Sequence, residues 1–120
     1  MPVERLREFA AAYDRHDVDA IMALFTEDCV FESARGTQPY GTRYVGKKEV
    51  RAAVEGRFKG ISDVRYQDDE HVVCGDRGFS QWTLTGTTTD GQRLHLRGCD
   101  LFDFRDGLIS KKDSYWKIVE

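Results

Sequence analysis

An aspartate within an apolar strand face is the first feature of this sequence that suggests chemistry. Residues 94–104 (LHLRGCDLFDF) alternate with a period of two, as expected for a β-strand. One face carries only apolar residues and glycine, apart from Asp100. Because a carboxyl group loses its water in such a place, it must be hydrogen-bonded or held in its neutral form. The pattern predicts a pocket wall with Asp100 inside the pocket.

Asp100 admits three interpretations. It could act as a general acid, or as a hydrogen-bond donor to a ligand carbonyl, as perturbed carboxyl groups in clefts do. It could instead be structural, tied to a Tyr or Ser hydroxyl that keeps the pocket in shape. A single β-bulge would turn its side chain to the opposite face. The sequence leaves these alternatives open.

The last predicted strand adds one ionisable candidate on each of its faces. If one face turns inward, Lys112 and Trp116 enter the pocket. Lys112 then either pairs with Asp100 and keeps it charged, or extends to the rim. If the other face turns inward, Asp113 and Tyr115 form the polar pair, and Asp113 becomes a second candidate acid or base.

Hydroxyl groups and aromatic rings complete the candidate site. Tyr13 could donate a hydrogen bond to a ligand, and Ser33 could bond to Asp100 or to a ligand. Ser33 is a weak candidate nucleophile, because no histidine is expected on its wall; His71 and His95 are predicted at the surface. The remaining candidate ligand contacts, which also suit a packed core, are Phe9, Phe31, Phe58, Trp82, Leu84, Phe102, Lys112 and Trp116.

Composition narrows the class of protein. The 120 residues suit one domain spanning 1–120, and 18 basic against 21 acidic residues form no basic cluster for nucleic acid. No apolar run approaches the roughly 18 residues of a membrane span. Three cysteines without a CxxC pair and three histidines without metal spacing predict a cytoplasmic protein with no metal and no cofactor.

Hydrophobic periodicity predicts the elements that position these residues. Helices are expected at 3–15, 18–25 and 47–59, with Asp17 as an N-cap and Gly60 as a C-cap. Strands are expected at 29–33, 64–74, 79–88, 94–104 and 108–117, with a turn at 26–28 and a loop at 34–46. The order predicts an α+β fold whose last four strands form an antiparallel meander.

The sequence resembles the nuclear transport factor 2-like superfamily, in the branch of ketosteroid isomerase and the SnoaL polyketide cyclases. The resemblance is carried by segments 17–28 (DVDAIMALFTED), 31–33 (FES), 46–51 (GKKEVR) and 100–109 (DLFDFRDGLI). It implies a cone in which a curved, mostly antiparallel sheet wraps around three helices. It also implies a homodimer that forms through the outer sheet face.

Only part of the ketosteroid isomerase site is kept at the positions that the resemblance implies. Its oxyanion-hole tyrosine falls at Phe9, which cannot donate a hydrogen bond, and its general base falls at Ser33. Its protonated aspartate falls at Asp100, so this sequence keeps an aspartate at that position. Steroid isomerisation by that mechanism is therefore not expected, although Tyr13, one helical turn after Phe9, could replace the missing hydroxyl. The resemblance to SnoaL-type cyclases implies an acid near Asp113.

These observations predict a SnoaL-like protein with an apolar pocket for a small hydrophobic or carbonyl-containing molecule. Its predicted chemistry is proton transfer beside a carbonyl without a cofactor, in an isomerase, cyclase or dehydratase. The alternative is a non-catalytic ligand-binding or dimerisation module in which Asp100 is structural. Epoxide hydrolysis would need an arginine that faces the pocket, and the sequence predicts none.

Overall fold

Three helices pack against one curved six-stranded sheet in the computed structural model, which describes residues 1–120. The helices are α1 (Val3–Asp14), α2 (Val18–Ala23) and α3 (Lys47–Gly60). The strands are β1 (Phe25–Glu32), β2 (Arg43–Val45), β3 (Arg65–Cys74), β4 (Arg77–Thr87), β5 (Arg93–Arg105) and β6 (Leu108–Trp116). This arrangement confirms the predicted α+β cone.

The sheet has the order β2-β1-β6-β5-β4-β3. Strands β3 to β6 form the predicted antiparallel meander, and only the β1–β6 pair is parallel. The curved inner face of the sheet receives the apolar side of α1, including Leu6, Phe9 and Tyr13. No helix of the chain is both long enough and apolar enough to cross a membrane.

The helix ends largely follow the predicted signals. The Asp17 carboxylate accepts a hydrogen bond of 3.1 Å from the Ala20 amide and so caps α2, as predicted. Helix α2 ends at Ala23, earlier than predicted, because the Leu24 carbonyl accepts a 2.8 Å bond from the Ile109 amide of β6. Gly60 is the last residue of α3, and Ile61 occupies the C-cap.

Two predictions about the segment after α2 were wrong. Strand β1 starts at Phe25, so the predicted turn at 26–28 is extended backbone, with an irregular register against β6 between Phe25 and Val30. The predicted loop at 34–46 contains β2, which pairs with β1 at the edge of the sheet. Burial of Phe25 and Cys29 explains why the backbone stays extended there.

Register shifts in β3 and β6 decide which side chains face the interior. In β3, an extra residue lies between Gln67 and Glu70, and Asp68 has a left-handed φ of 54°. A bulge of this kind reverses the alternation of side chains after it. Near the start of β6, a second shift allows Ile109 and Lys112 both to be buried. A period-two pattern therefore fails to predict the inward residues along the whole of β3.

Candidate functional site

A cavity of about 640 Å³ lies between helices α1 and α3 and the inner face of the sheet. Fifteen of its 26 lining residues are hydrophobic. The volume falls in the range of small-molecule sites, which are mostly apolar with a few placed polar groups. The few polar groups on the wall of this cavity therefore determine which chemistry it can support.

Asp100 is buried on the cavity wall and bonded to neighbouring side chains. The indole N–H of Trp82 donates to Oδ2 at 2.9 Å, and the Ser114 hydroxyl donates to Oδ1. The Lys112 Nζ atom lies 3.7 Å from Oδ1 and donates to Ser114 Oγ at 3.3 Å. The face of β6 with Lys112 and Trp116 thus points inward, and Lys112 pairs with Asp100.

These partners suit a charged carboxylate better than a neutral acid. An indole N–H can only donate, and a nearby ammonium favours the anion. Each carboxylate oxygen keeps a lone pair after its single hydrogen bond. The expectation that Asp100 itself donates a hydrogen bond therefore does not fit this geometry, which instead lets Asp100 accept a proton.

The Lys112 ammonium is held between two aromatic rings. Its Nζ atom lies 4.5 Å from the Phe31 ring centroid and 4.9 Å from the Tyr13 centroid. Both distances are within the range of cation–π attraction, which offsets part of the cost of burying the charge. Lys112 therefore supplies a fixed positive charge inside the cavity and does not extend to the rim.

Two tyrosine hydroxyls line the cavity without a hydrogen-bonding partner in the protein, those of Tyr13 and Tyr66. Burial and the nearby Asp100 raise the pKa of Tyr13 above its ordinary value of 10. Burial raises the pKa of Tyr66 to about 12. Both hydroxyls therefore keep their protons at neutral pH and can donate them in hydrogen bonds to a ligand.

A second polar cluster on the wall consists of Asp69, His71 and Ser80. His71 Nδ1 lies 2.7 Å from Ser80 Oγ, and Nε2 lies 2.7 Å from an Asp69 oxygen. The His71 side chain is only 4% exposed, so its predicted surface position was wrong. The bulge at Asp68 turns it inward, whereas His95 is exposed as predicted.

Helix α3 contributes Arg57 to the cavity wall. Its guanidinium carbon lies 4.9 Å from the Trp116 ring centroid. The prediction that no arginine faces the pocket was therefore wrong. The signal for Arg57 was available, because it lies one helical turn after Val54, a buried residue of the same helix.

A family model of the SnoaL-like domain matches residues 6–112. The chain belongs to the SnoaL-like domain family. This SnoaL-like domain is similar in structure to a putative polyketide cyclase from Pseudomonas putida, with a TM-score of 0.86 and 23% sequence identity. The alignment covers 97% of this chain and 91% of that protein.

Two structures with bound molecules share the fold of this SnoaL-like domain. TerC co-crystallised with polyporic acid has a TM-score of 0.81 at 17% identity, covering 96% of this chain and 90% of TerC. A hypothetical protein with a ketosteroid isomerase-like fold from Catenulispora acidiphila, in complex with trimethylamine, has a TM-score of 0.84 at 16% identity, covering 98% of this chain and 88% of that protein. Among curated proteins, no significant match is found. At these identities the structural similarities establish the fold alone.

Most of the predicted ligand contacts lie on the cavity wall of this SnoaL-like domain. They are Phe9, Tyr13, Phe31, Ser33, Trp82, Asp100, Phe102, Lys112 and Trp116. The Ser33 hydroxyl donates to the Arg35 carbonyl at 2.8 Å, and the hydrogen bonds of Asp100 come from Trp82 and Ser114 instead. Leu84 and Phe58 do not line the cavity; Leu84 is fully buried in the core and Phe58 stacks on His16.

Asp113 lies outside the cavity of the SnoaL-like domain, so the inward Asp113–Tyr115 alternative was wrong. Its carboxylate accepts a 3.1 Å bond from the Tyr115 hydroxyl, and Tyr115 is 53% exposed. Burial raises the pKa of Asp113 despite this bond. Nowhere do three His, Cys, Asp or Glu side chains come together in a way that could hold a metal ion.

Gly98 lies two residues before Asp100 on β5 and shapes the Asp100 site of this SnoaL-like domain. It is the cross-strand partner of Trp82, and a Cβ atom at Gly98 would lie 2.4 Å from the indole ring. Only glycine leaves room for the ring to lie across β5. The indole N–H reaches the Asp100 carboxylate through this gap.

Proposed function

We propose that this SnoaL-like domain binds a small, mainly apolar carbonyl compound and removes a proton from the carbon beside the carbonyl, with Asp100 as the base. The observation that carries the proposal is the position of the Asp100 carboxylate. It is buried in an apolar cavity, receives two hydrogen bonds from neutral donors, and lies near the unpartnered hydroxyls of Tyr13 and Tyr66.

Removal of such a proton moves negative charge onto the carbonyl oxygen. Donors that are already in place for this oxygen lower the barrier, because they need no rearrangement when the charge develops. Tyr13 and Tyr66 supply neutral donors, and Lys112 supplies a positive charge. The mainly apolar lining strengthens each of these interactions, since it excludes water.

The structural relatives support a small organic ligand. One is a putative polyketide cyclase, and another was co-crystallised with polyporic acid. Ring closure, double-bond migration and loss of water beside a carbonyl all begin with removal of a proton. The proposed base is therefore compatible with each of the three reaction classes.

Exchange of carbon-bound protons with heavy water tests this function directly. 4-Phenylbutan-2-one is incubated with the protein in D₂O, and loss of the signals beside its carbonyl is followed by NMR. The wild-type protein is expected to accelerate exchange, and Asp100→Asn to lower the rate by about 10²- to 10⁴-fold. Asp113→Asn, which changes a carboxylate on the outer face, is the matched control and keeps the wild-type rate.

Binding is measured in the same samples by tryptophan fluorescence, because Trp82 and Trp116 both line the cavity. The proposal is contradicted if the Asp100→Asn variant still binds the ketone and accelerates its proton exchange as much as the wild type does. Wild-type protein that binds but leaves exchange at its background rate favours the alternative of a non-catalytic binding module.

We also propose that the domain forms a homodimer through the outer sheet face. Val72 and Phe79 are cross-strand partners, and both are more than 40% exposed at this face. An apolar pair of this kind gains stability when a second copy covers it. Sedimentation at micromolar concentration is expected to show a dimer, and a purely monomeric species overturns this assignment.

A further inference from the structure

The hydrogen-bonded chain from Asp69 through His71 to Ser80 is a second candidate for chemistry on the cavity wall. Both ring nitrogens of His71 are engaged at 2.7 Å, one by each neighbour. The Ser80 hydroxyl is therefore the member of the chain that can face a ligand. Asp69, at the other end, is 41% exposed and links the chain to solvent.

This chain depends on an irregular backbone. Asp68 adopts a φ of 54°, which is uncommon for a residue other than glycine, and it lies within the bulge of β3. Bulges often redirect a side chain at functional sites. Without this one, the regular alternation that places Tyr66 on the inner face would place His71 on the outer face.

The sheet register places the chain beside Asp100. Ser80 is the cross-strand partner of His71 in β3 and of Asp100 in β5, so all three lie in one row on the inner face. Neighbouring strands are about 4.8 Å apart. The Ser80 hydroxyl and the Asp100 carboxylate can therefore both reach a molecule of a few carbon atoms from the same side.

We propose that Asp69, His71 and Ser80 form a proton-donating centre that, together with Asp100, removes water from β-hydroxy carbonyl compounds. The inference rests on the proposed function of Asp100 and adds the leaving group to it. Protonated His71 donates its Nδ1–H to Ser80 Oγ and its Nε2–H to Asp69. The Ser80 O–H is then free to donate to the hydroxyl group of the substrate.

Asp100 takes the proton from the carbon beside the carbonyl, and the electron pair of that C–H bond forms the new carbon–carbon double bond. The bond between the β-carbon and its hydroxyl oxygen breaks, and the oxygen takes the proton of Ser80 Oγ, which His71 Nδ1 replaces. The products are an α,β-unsaturated carbonyl compound and water.

After one turnover Asp100 is protonated and His71 is neutral. Asp100 releases its proton to water, and His71 regains one from water at the open end of the chain. Because Asp100 and Ser80 lie on the same wall, the proton and the hydroxyl leave from the same face of the substrate. Asp69 is a positioning residue, since it holds the imidazole by Nε2.

The test uses 4-hydroxy-4-phenylbutan-2-one, the β-hydroxy derivative of the ketone used for proton exchange. Formation of the conjugated enone is followed by its ultraviolet absorbance and by NMR, and exchange beside the carbonyl is measured on the unsubstituted ketone. Ser80→Ala and His71→Gln are compared with wild type. His95→Gln is the matched control, because His95 is exposed on the outer face.

Wild type and His95→Gln are expected to form the enone at equal rates. Ser80→Ala and His71→Gln are expected to lower that rate by about 10²-fold or more while keeping proton exchange, which also shows that both variants are folded. Asp100→Asn loses both activities.

Equal enone formation by Ser80→Ala and wild type, with exchange intact, overturns the proton-donating centre and leaves the proposed function standing. Release of benzaldehyde in place of the enone also overturns it, because a carbon–carbon bond has then broken. Absence of exchange in the wild type overturns the proposed function, and this inference falls with it.

Discussion

Two buried carboxylates lie on opposite faces of the sheet and are neutralised in different ways. On the outer face, Glu32 accepts a 2.7 Å hydrogen bond from Arg43 and lies 3.3 Å from the Lys111 ammonium. On the inner face, Asp100 receives hydrogen bonds from neutral donors, and its one cation, Lys112, is 3.7 Å away. Both carboxylates are less than a tenth exposed.

The difference separates a structural carboxylate from a reactive one. Although burial opposes the charge of Glu32, hydrogen bonds from Arg43 and Lys111 hold the pKa of that carboxyl below its usual value. Two cations therefore engage the lone pairs of Glu32, and Glu32 does not line the cavity of about 640 Å³. Asp100 keeps free lone pairs and adjoins the cavity, which is what a base requires.

Adjacent lysines give the sharpest test of this contrast. Lys112→Met is expected to lower the free energy of unfolding by about 3 kcal/mol, because it leaves Asp100 charged and buried without a cation. Lys111→Met is expected to cost less than about 1 kcal/mol, because Glu32 keeps Arg43 and Lys111 is partly exposed. Urea denaturation at neutral pH measures both values, and equal losses would abolish the distinction.

The neutral donors of Asp100 are tested at Trp82. Trp82→Phe removes the indole N–H and is expected to cost about 2 kcal/mol, since hydrogen bonds to charged groups contribute more than neutral ones. Trp116→Phe is the control, because its indole packs beneath Arg57 without donating a hydrogen bond to the protein. If both variants lose the same stability, ring volume and not the hydrogen bond explains the effect.

The outer carboxylate predicts a pH dependence. Since folding lowers the pKa of Glu32, its stabilising contribution is complete above the ordinary value of 4.5 and is lost as the pH falls through the lowered value. Glu32→Gln is expected to cost about 1 kcal/mol at neutral pH and to flatten the loss of stability in acid. Denaturant titrations from pH 7 to pH 3 check the slope. If Glu32→Gln loses stability in acid as steeply as the wild type does, Glu32 is not the group whose protonation destabilises the protein.

The smallest effect is expected at Asp113. Folding raises the pKa of this carboxyl, so its contribution to stability decreases as the pH rises above about 3.8. Asp113→Asn is therefore expected to stabilise the protein by less than about 1 kcal/mol at neutral pH and to leave proton exchange unchanged. If this variant loses proton exchange, a residue on the outer face takes part in the reaction, which contradicts the assignment of catalysis to the inner face.

Regular alternation explains why the Asp100 side of the site could be predicted. From Leu94 to Phe102, every residue of β5 pairs with β4 in one uninterrupted register. The period of two therefore assigns Asp100 and Phe102 to the inner face. For β6 the sequence left both faces open, and the structure turns the face with Lys112 inward.

The remaining parts of the site depend on a β-bulge and on long-range strand pairing, and a period-two pattern reveals neither. The bulge at Asp68 reverses the alternation of β3, so the period of two that places Tyr66 inward wrongly predicts an outward His71. Residues 26–28 (TED) have the composition of a turn, yet the pairs that β1 makes with β6 on either side of them, at Phe25 and Val30, keep them within the strand. That pairing joins residues far apart in the chain, and local composition does not report it.

Gly98 has a consequence for how this sequence can change. A Cβ atom there would lie 2.4 Å from the ring of Trp82 and 2.6 Å from the backbone carbonyl oxygen of Tyr115, so both a side chain and the neighbouring strand exclude any residue larger than glycine. A smaller residue in place of Trp82 would remove only the first of these overlaps, and a side chain at the position of Gly98 would still require the backbone of β6 to move. An aligned set of sequences should therefore keep this glycine even in relatives that have lost the tryptophan.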